Sequence, residues 1–244
     1  MTEKPEKKLP KIFCAIDTTD IDHAKALAAA MQKAGCGVKF GLEFFNACGP
    51  QAIKEIMDFY EELPVFLDLK YHDIPNTVAG AMRAIAPLGV DFVNLHASGG
   101  SAMMCAAKDA LHTEAEKTGA KIPKILGVTI LTSLDGEELE ETAFRPDLKI
   151  CVTRLAELAQ KSGLDGVVCS AMEIELLRET CGSDFILMVP GIRLEGSDIQ
   201  DQKRVMTPHA ALQKGASYLV IGRPITKADD PAASALDILS SLAA

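Results

Sequence analysis

The chain contains no tryptophan, and phenylalanine and tyrosine together supply only 5% of its 244 residues. An indole platform for stacking bases is therefore missing. An excess of positive charge is missing too: 34 acidic residues outnumber 25 basic ones, for a formal charge of −9. Nucleic acid and anionic lipid both require a basic face, so neither is an expected partner. A small anionic substrate stays compatible, because a few cations in a cleft outweigh a distant surface field. No apolar run of 18 residues occurs, so no segment is expected to span a membrane. The seven cysteines (14, 36, 48, 105, 151, 169, 181) form no Cys-x-x-Cys pair. Their scatter and odd number read as reduced core thiols of a cytoplasmic protein. The opening MTEKPEKKLPK is polar and lysine-rich with no apolar stretch behind it, unlike a secretory signal. Residues 1–10 are expected to be a flexible tail.

What is present is a repeated alternation. Eight short apolar runs, at 11–17, 36–40, 65–70, 91–96, 125–131, 166–170, 185–190 and 217–222, read as strands covered on both sides. Helical patterns such as IDHAKALAAAMQKAG and NTVAGAMRAIAPLG lie between them, the latter with Asn76 as its expected cap. Eight such units in a chain of this length predict a single-domain α/β fold, the (β/α)8 TIM barrel, over residues 11–244. An open doubly wound sheet is the alternative. No Gly-x-Gly-x-x-Gly follows the first strand, and no linker divides the chain. Two long connections follow strands 5 and 7, on the face where barrel enzymes carry their sites.

The third apolar run ends in charge: VFLDLKYHD. Side chains alternate along a strand, so Asp68 and Lys70 share one face and Leu67 and Leu69 the other. The leucines suit the layer beneath the helices, and the charges then point into the barrel mouth. Lys39 at the end of GVKF and Asp17 at the end of FCAID repeat the pattern on strands 2 and 1. A buried ion-pair network would place charges in the same way. A metal site built from Asp68, His72, Asp73 and His96 is a further possibility, although the Lys70 ammonium would compete with a cation.

The stretch DLKYHDIPNTV (68–78) closely resembles the signature of the orotidine 5′-phosphate decarboxylase family. FCAID, GVKFGLEFF, LTSL, VPGIR, DQKRVMTP and IGRPIT match the family's other motifs in order, over nearly the whole chain. The resemblance implies decarboxylation of orotidine 5′-phosphate to uridine 5′-phosphate with no metal or organic cofactor. It implies a charged array of Lys39, Asp68, Lys70 and Asp73, with Lys70 as proton donor. Asp17 and Lys39 would hold ribose hydroxyls, and Thr132 or its neighbour Ser133 the pyrimidine. Arg193, Gln202, Gly222 and Arg223 would serve the phosphate. Asp73 and Thr77 would project into the neighbouring subunit's site of a homodimer. Metal-dependent sugar-phosphate decarboxylases, aldolases or epimerases on the same barrel form the alternative class, and a non-catalytic nucleotide-binding barrel a third.

Overall fold

All eight apolar runs become strands in the computed structural model, which describes residues 9–142, 144, 147–192 and 206–242. They are β1 (Ile12–Ile16), β2 (Gly37–Phe40), β3 (Val65–Tyr71), β4 (Phe92–His96), β5 (Lys124–Val128), β6 (Gly166–Val168), β7 (Ile186–Val189) and β8 (Tyr218–Ile221). Each pairs in parallel with the next, and β8 returns to β1 to close the barrel. The connecting helices are α1 (Ile21–Ala34), α2 (Leu42–Phe59), α3 (Pro75–Ile85), α4 (Ser101–Thr118), α5 (Gly136–Glu141), α6 (Leu148–Lys161), α7 (Ile174–Cys181), α8 (Pro208–Gln213), α9 (Arg223–Thr226) and α10 (Pro231–Ser241). The expected single-domain (β/α)8 barrel is thus the fold. Of the expected tail, only Leu9 and Pro10 fall within the described residues. Among those residues no helix is long and apolar enough to cross a membrane. All seven cysteines are free, and burial pushes the Cys14 thiol up to about 12.

Strand alternation sorts the apolar side chains into two cores. Ile12, Cys14, Ile16, Val38, Val65, Leu67 and Leu69 pack outward with the helices. Phe13, Ala15, Phe66, Phe92, Leu126, Met188 and Val220 form a separate cluster from the strands alone, which is the barrel interior. Phe13, Phe66 and Tyr218 each meet Phe92 edge to face, with ring centroids 5.5, 6.2 and 5.2 Å away. This is a preferred aromatic geometry. Space for it comes from Gly37, where an added Cβ would lie 2.6 Å from the Phe13 ring. The aromatic plug closes the barrel on the amino-terminal side of Asp68, so whatever stands above it stands on a dry floor.

The amino-terminal rim is tied by one device used three times. The residue before an even-numbered strand receives, on its side chain, an N–H from the first or second residue of the preceding strand and returns its own N–H to the same residue's carbonyl. Asp91 does this with Val65 (2.8 Å both ways), Asp165 with Ile125 (2.7 and 3.0 Å) and Ser217 with Leu187 (3.0 and 2.9 Å). Lys121 pairs with Asp91. Arg178 of α7 donates to Ser217 Oγ at 2.9 Å and to the carbonyls of Gly215, Gly182 and Phe185.

Three local expectations are corrected. Asn76 is not the cap of α3: the cap is Ile74, with no side-chain bond, and Pro75 opens the helix. Proline suits that first position because its missing N–H would have no partner there. The fifth strand stops at Val128 rather than residue 131. Its partner β6 ends at Val168, directly opposite, and leaves no ladder beyond. The long connection that follows is not all loop: Asp135 and Glu138 form a reciprocal capping box that starts α5. In addition, α2 is broken at Gly49, with φ +74°, and Pro50.

Asp91→Ala should lower stability by about 1–3 kcal/mol, because the Val65 N–H loses its acceptor. That corresponds to several degrees in melting temperature for a chain of this size. Asp91→Asn keeps an acceptor oxygen and should lose less. An unchanged melting temperature for the alanine variant would contradict the rim device.

Candidate active site

Four charged side chains from three successive strands converge above the aromatic plug. Asp17 follows β1, Lys39 lies in β2, and Asp68 and Lys70 lie in β3. Asp68 is the hub. Its Oδ2 is 3.1 Å from Lys39 Nζ, and its Oδ1 receives a 2.7 Å hydrogen bond from Lys70 Nζ. Lys39 Nζ also stands 3.6 Å from Asp17 Oδ1. Lys39 and Asp68 are each only 8% exposed, whereas the Lys70 side chain is 29% exposed and faces the open mouth. Gly41 makes room for the outer pair: an added Cβ would lie 3.0 Å from Lys39 Nζ and 3.3 Å from Asp17 Oδ1.

Burial alone would push the Asp68 carboxyl up. Lys39, then Lys70 and a hydrogen bond from Asn94, outweigh it and hold the carboxyl below its ordinary range. Burial likewise pulls the Lys39 ammonium down, but Asp68 and Asp17 carry it above its ordinary value. Both groups are therefore charged at neutral pH.

The strand departs from simple alternation where the charges begin. Lys70 has φ +50°, the one non-glycine residue with positive φ among those described. The β3–β4 register shifts between Leu67 and Tyr71. Asn94 of β4 fills the irregularity, accepting the Lys70 N–H at 2.8 Å and donating to Asp68 Oδ1 at 2.6 Å. The sequence reading passed over Asn94 and Gly41. The signal for Asn94 was available: in DFVNLH it shares a strand face with Phe92, and so points inward.

Two adjoining chambers open at the array. One, of about 190 Å³, is lined by Lys39, Asp68 and Lys70 and by Val128, Ile130, Thr132, Val168 and Cys169. The other, of about 450 Å³, is lined by Asp17, Lys39, Gly191, Gly222, Arg223 and Lys227. Lys39, Pro190 and Val220 belong to both. Thr132, rather than Ser133, is part of the wall. Among the described residues nothing crowds Gly222, where an added Cβ would make only ordinary contact with Ala15 at 3.5 Å.

Not every expected residue joins the array. Asp73 and Thr77 are exposed on the rim, outside both chambers, and Asp73 Oδ1 accepts the Ile74 N–H at 2.6 Å. Arg193 and Gln202 lie outside the described residues. His72 and His96 face each other with ring centroids 5.2 Å apart. Burial, then His72 and Lys70, holds His96 below the usual imidazole range. Among the described residues no three His, Cys, Asp or Glu side chains gather as metal ligands would, so the set Asp68, His72, Asp73 and His96 does not converge.

Comparison with known proteins gives this geometry a family. The model for the orotidine 5′-phosphate decarboxylase / HUMPS family matches residues 10–238. The chain belongs to that family. It is 49% identical to the orotidine 5′-phosphate decarboxylase of Rhodospirillum rubrum over 235 residues, covering 96% of this chain and 92% of the relative. It is 47% identical to that of Idiomarina loihiensis over 234 residues, covering 96% and 98%. The crystal structure of orotidine 5′-phosphate decarboxylase from Lactobacillus acidophilus superposes with a TM-score of 0.84 at 37% identity, over 97% of this chain and all of the other.

The shifted groups set the pH dependence of stability. Asp68 is depressed, so its contribution is complete above about pH 4 and disappears as the pH falls through its lower folded value. Lys39 is raised, so its contribution is complete below about pH 10 and disappears as the pH rises through its higher folded value. The melting-temperature gap between the wild type and Asp68→Asn should therefore be widest near neutrality and narrow below about pH 4. A gap independent of pH would contradict the charge assignment.

Proposed function

We propose that this protein removes CO2 from C6 of orotidine 5′-phosphate to give uridine 5′-phosphate, the activity for which its relatives are named. One observation carries the reading: the Lys39–Asp68–Lys70 array sits where a chamber with apolar walls meets a second one edged by Arg223. A pyrimidine suits the first and a phosphate the second, with the ribose between them beside Asp17 and Lys39.

The chemistry makes use of such an array. Breaking the C6–carboxylate bond leaves an electron pair in an sp2 orbital in the ring plane, where no adjacent carbonyl delocalises it. In this reading no metal or organic cofactor takes up the charge, and stabilisation is electrostatic. The Lys70 ammonium faces C6, offsets the developing charge and then transfers a proton to it; solvent restores the ammonium after CO2 leaves. At an effective dielectric of about 20, unit charges about 4 Å apart interact by roughly 4 kcal/mol. Acting only on the transition state, that is about a thousandfold in rate. Asp68 both repels the substrate carboxylate and orients Lys70. Its 2.7 Å bond to Lys70 Nζ supports orientation as the larger share.

Binding energy remote from C6 supplies more of the acceleration. We assign the phosphate to Arg223, Arg193, Gln202 and the backbone at Gly222, and the pyrimidine edge to Thr132, which lines the chamber. Asp73 and Thr77 complete the site of a second subunit in a homodimer. Their exposure supports this, as does Ile74 between them, 66% exposed on the same rim.

The deciding assay follows orotidine 5′-phosphate absorbance with EDTA present, in D2O. The expected product is uridine 5′-phosphate carrying deuterium at C6. Loss of activity in EDTA and its return with a divalent metal would instead favour the metal-dependent sugar-phosphate branch. Lys70→Ala should lose nearly all turnover yet still bind uridine 5′-phosphate; normal turnover would remove Lys70 as proton donor. Mixing Lys70→Ala with Asp73→Ala subunits should restore about a quarter of the wild-type rate, because each mixed dimer holds one intact site. No recovery after demonstrated subunit exchange would contradict the shared site.

A further inference from the structure

We infer that Asn94 is the positioning residue of the charge array, its single carboxamide setting both the backbone of Lys70 and the carboxylate of Asp68. The inference rests on the function proposed above and extends it to a residue that lines neither chamber and is closed to solvent. Asn94 is fully buried. Between Leu67 and Tyr71 strand β3 advances four residues, while β4 advances only two, from Val93 to Leu95. The surplus is accommodated where Lys70 takes φ +50°. A left-handed lysine is costly and persists only where its surroundings enforce it. The enforcing contact is the Asn94 Oδ1, which takes the Lys70 N–H at 2.8 Å in place of a ladder carbonyl. The other end of the same rigid plane donates to Asp68 Oδ1 at 2.6 Å, on the oxygen that also receives Lys70 Nζ at 2.7 Å.

Both ends of the carboxamide are thereby fixed. The backbone N–H can only donate and the ionised carboxylate can only accept, so one amide orientation satisfies both. Asparagine is the side chain of this size that offers one acceptor and one donor from a single plane without having to take up a proton. Aspartate would set carboxylate against carboxylate. Leucine would leave the Lys70 N–H without its acceptor and Asp68 short of a donor. Because Lys70 is held at its backbone through Oδ1 and at its ammonium through Asp68, Asn94 governs both ends of the residue that must reach C6. Among the described residues, the charged and titratable groups around Asp68 are Lys39 from β2, Lys70 from β3, His96 from β4 and, on the far side of Lys39, Asp17 after β1.

The test compares Asn94→Leu and Asn94→Asp with the wild type in kcat, KM, affinity for uridine 5′-phosphate and the pH profile of kcat. Both variants should lower kcat roughly ten- to hundredfold, the loss of a hydrogen bond to a charged group. KM and product affinity should stay within about threefold, since Asn94 lines neither chamber. The acid limb of kcat should move to higher pH in both, further in the aspartate variant, because Asp68 loses a donor and in that variant gains an anionic neighbour. A kcat near that of the wild type with an unmoved acid limb, even beside a lowered melting temperature, would reduce Asn94 to a packing residue and overturn the inference. If the leucine variant does not fold, the aspartate variant, which retains the Lys70 acceptor, decides on the same readouts. An inactive wild type would sink the function itself; an active wild type with unaffected variants would sink only this inference.

Discussion

The structure turns on one buried carboxylate. Asp68 sits where water hardly reaches, and an isolated anion there would take up a proton rather than stay charged. It remains ionised because Lys39, Lys70 and Asn94 all direct donors at it. Lys39 comes from β2 and Asn94 from β4, so the array exists only once β2, β3 and β4 have paired. Such a network is a poor route to stability: well-packed apolar residues of similar volume often serve as well or better. Its presence above a plug of aromatic rings is a sign of chemistry rather than of folding.

The rest of the barrel serves that placement. Phe13, Phe66, Phe92 and Tyr218 exclude water from below, which strengthens every charge interaction above them. The paired bonds of Asp91, Asp165 and Ser217 hold the opposite rim, far from the site, so stability and reactivity reside at opposite ends of the strands, as is general for this fold. The two chambers meeting at Lys39 divide the work in the same sense. In the proposed function, one gives an apolar surround to the reacting ring, and the other offers cations and backbone to an anion whose binding energy is applied at a distance.

Much of this could be read from the amino-acid order, and the physical reasons are specific. Parallel strands covered on both faces leave apolar runs, and every run reappeared as a strand. Asp17, Lys39, Asp68 and Lys70 were legible because charges recur at the ends of three successive apolar runs, where alternation turns them toward one mouth. What escaped was what depends on partners. The end of β5 is set by the length of β6. The left-handed turn at Lys70 and the role of Asn94 arise from a mismatch between two strands that neither reveals alone. Asp73 and Thr77 were read as residues of a neighbouring subunit's site, and a single chain leaves them exposed on its rim.

The most direct test of the central claim is a crystal structure of the protein with uridine 5′-phosphate bound. The account predicts Lys70 Nζ within hydrogen-bonding reach of C6, about 3 Å, with Asp68 still bonded to that ammonium. An ammonium turned away from the ring, with another group or only water facing C6, would contradict it.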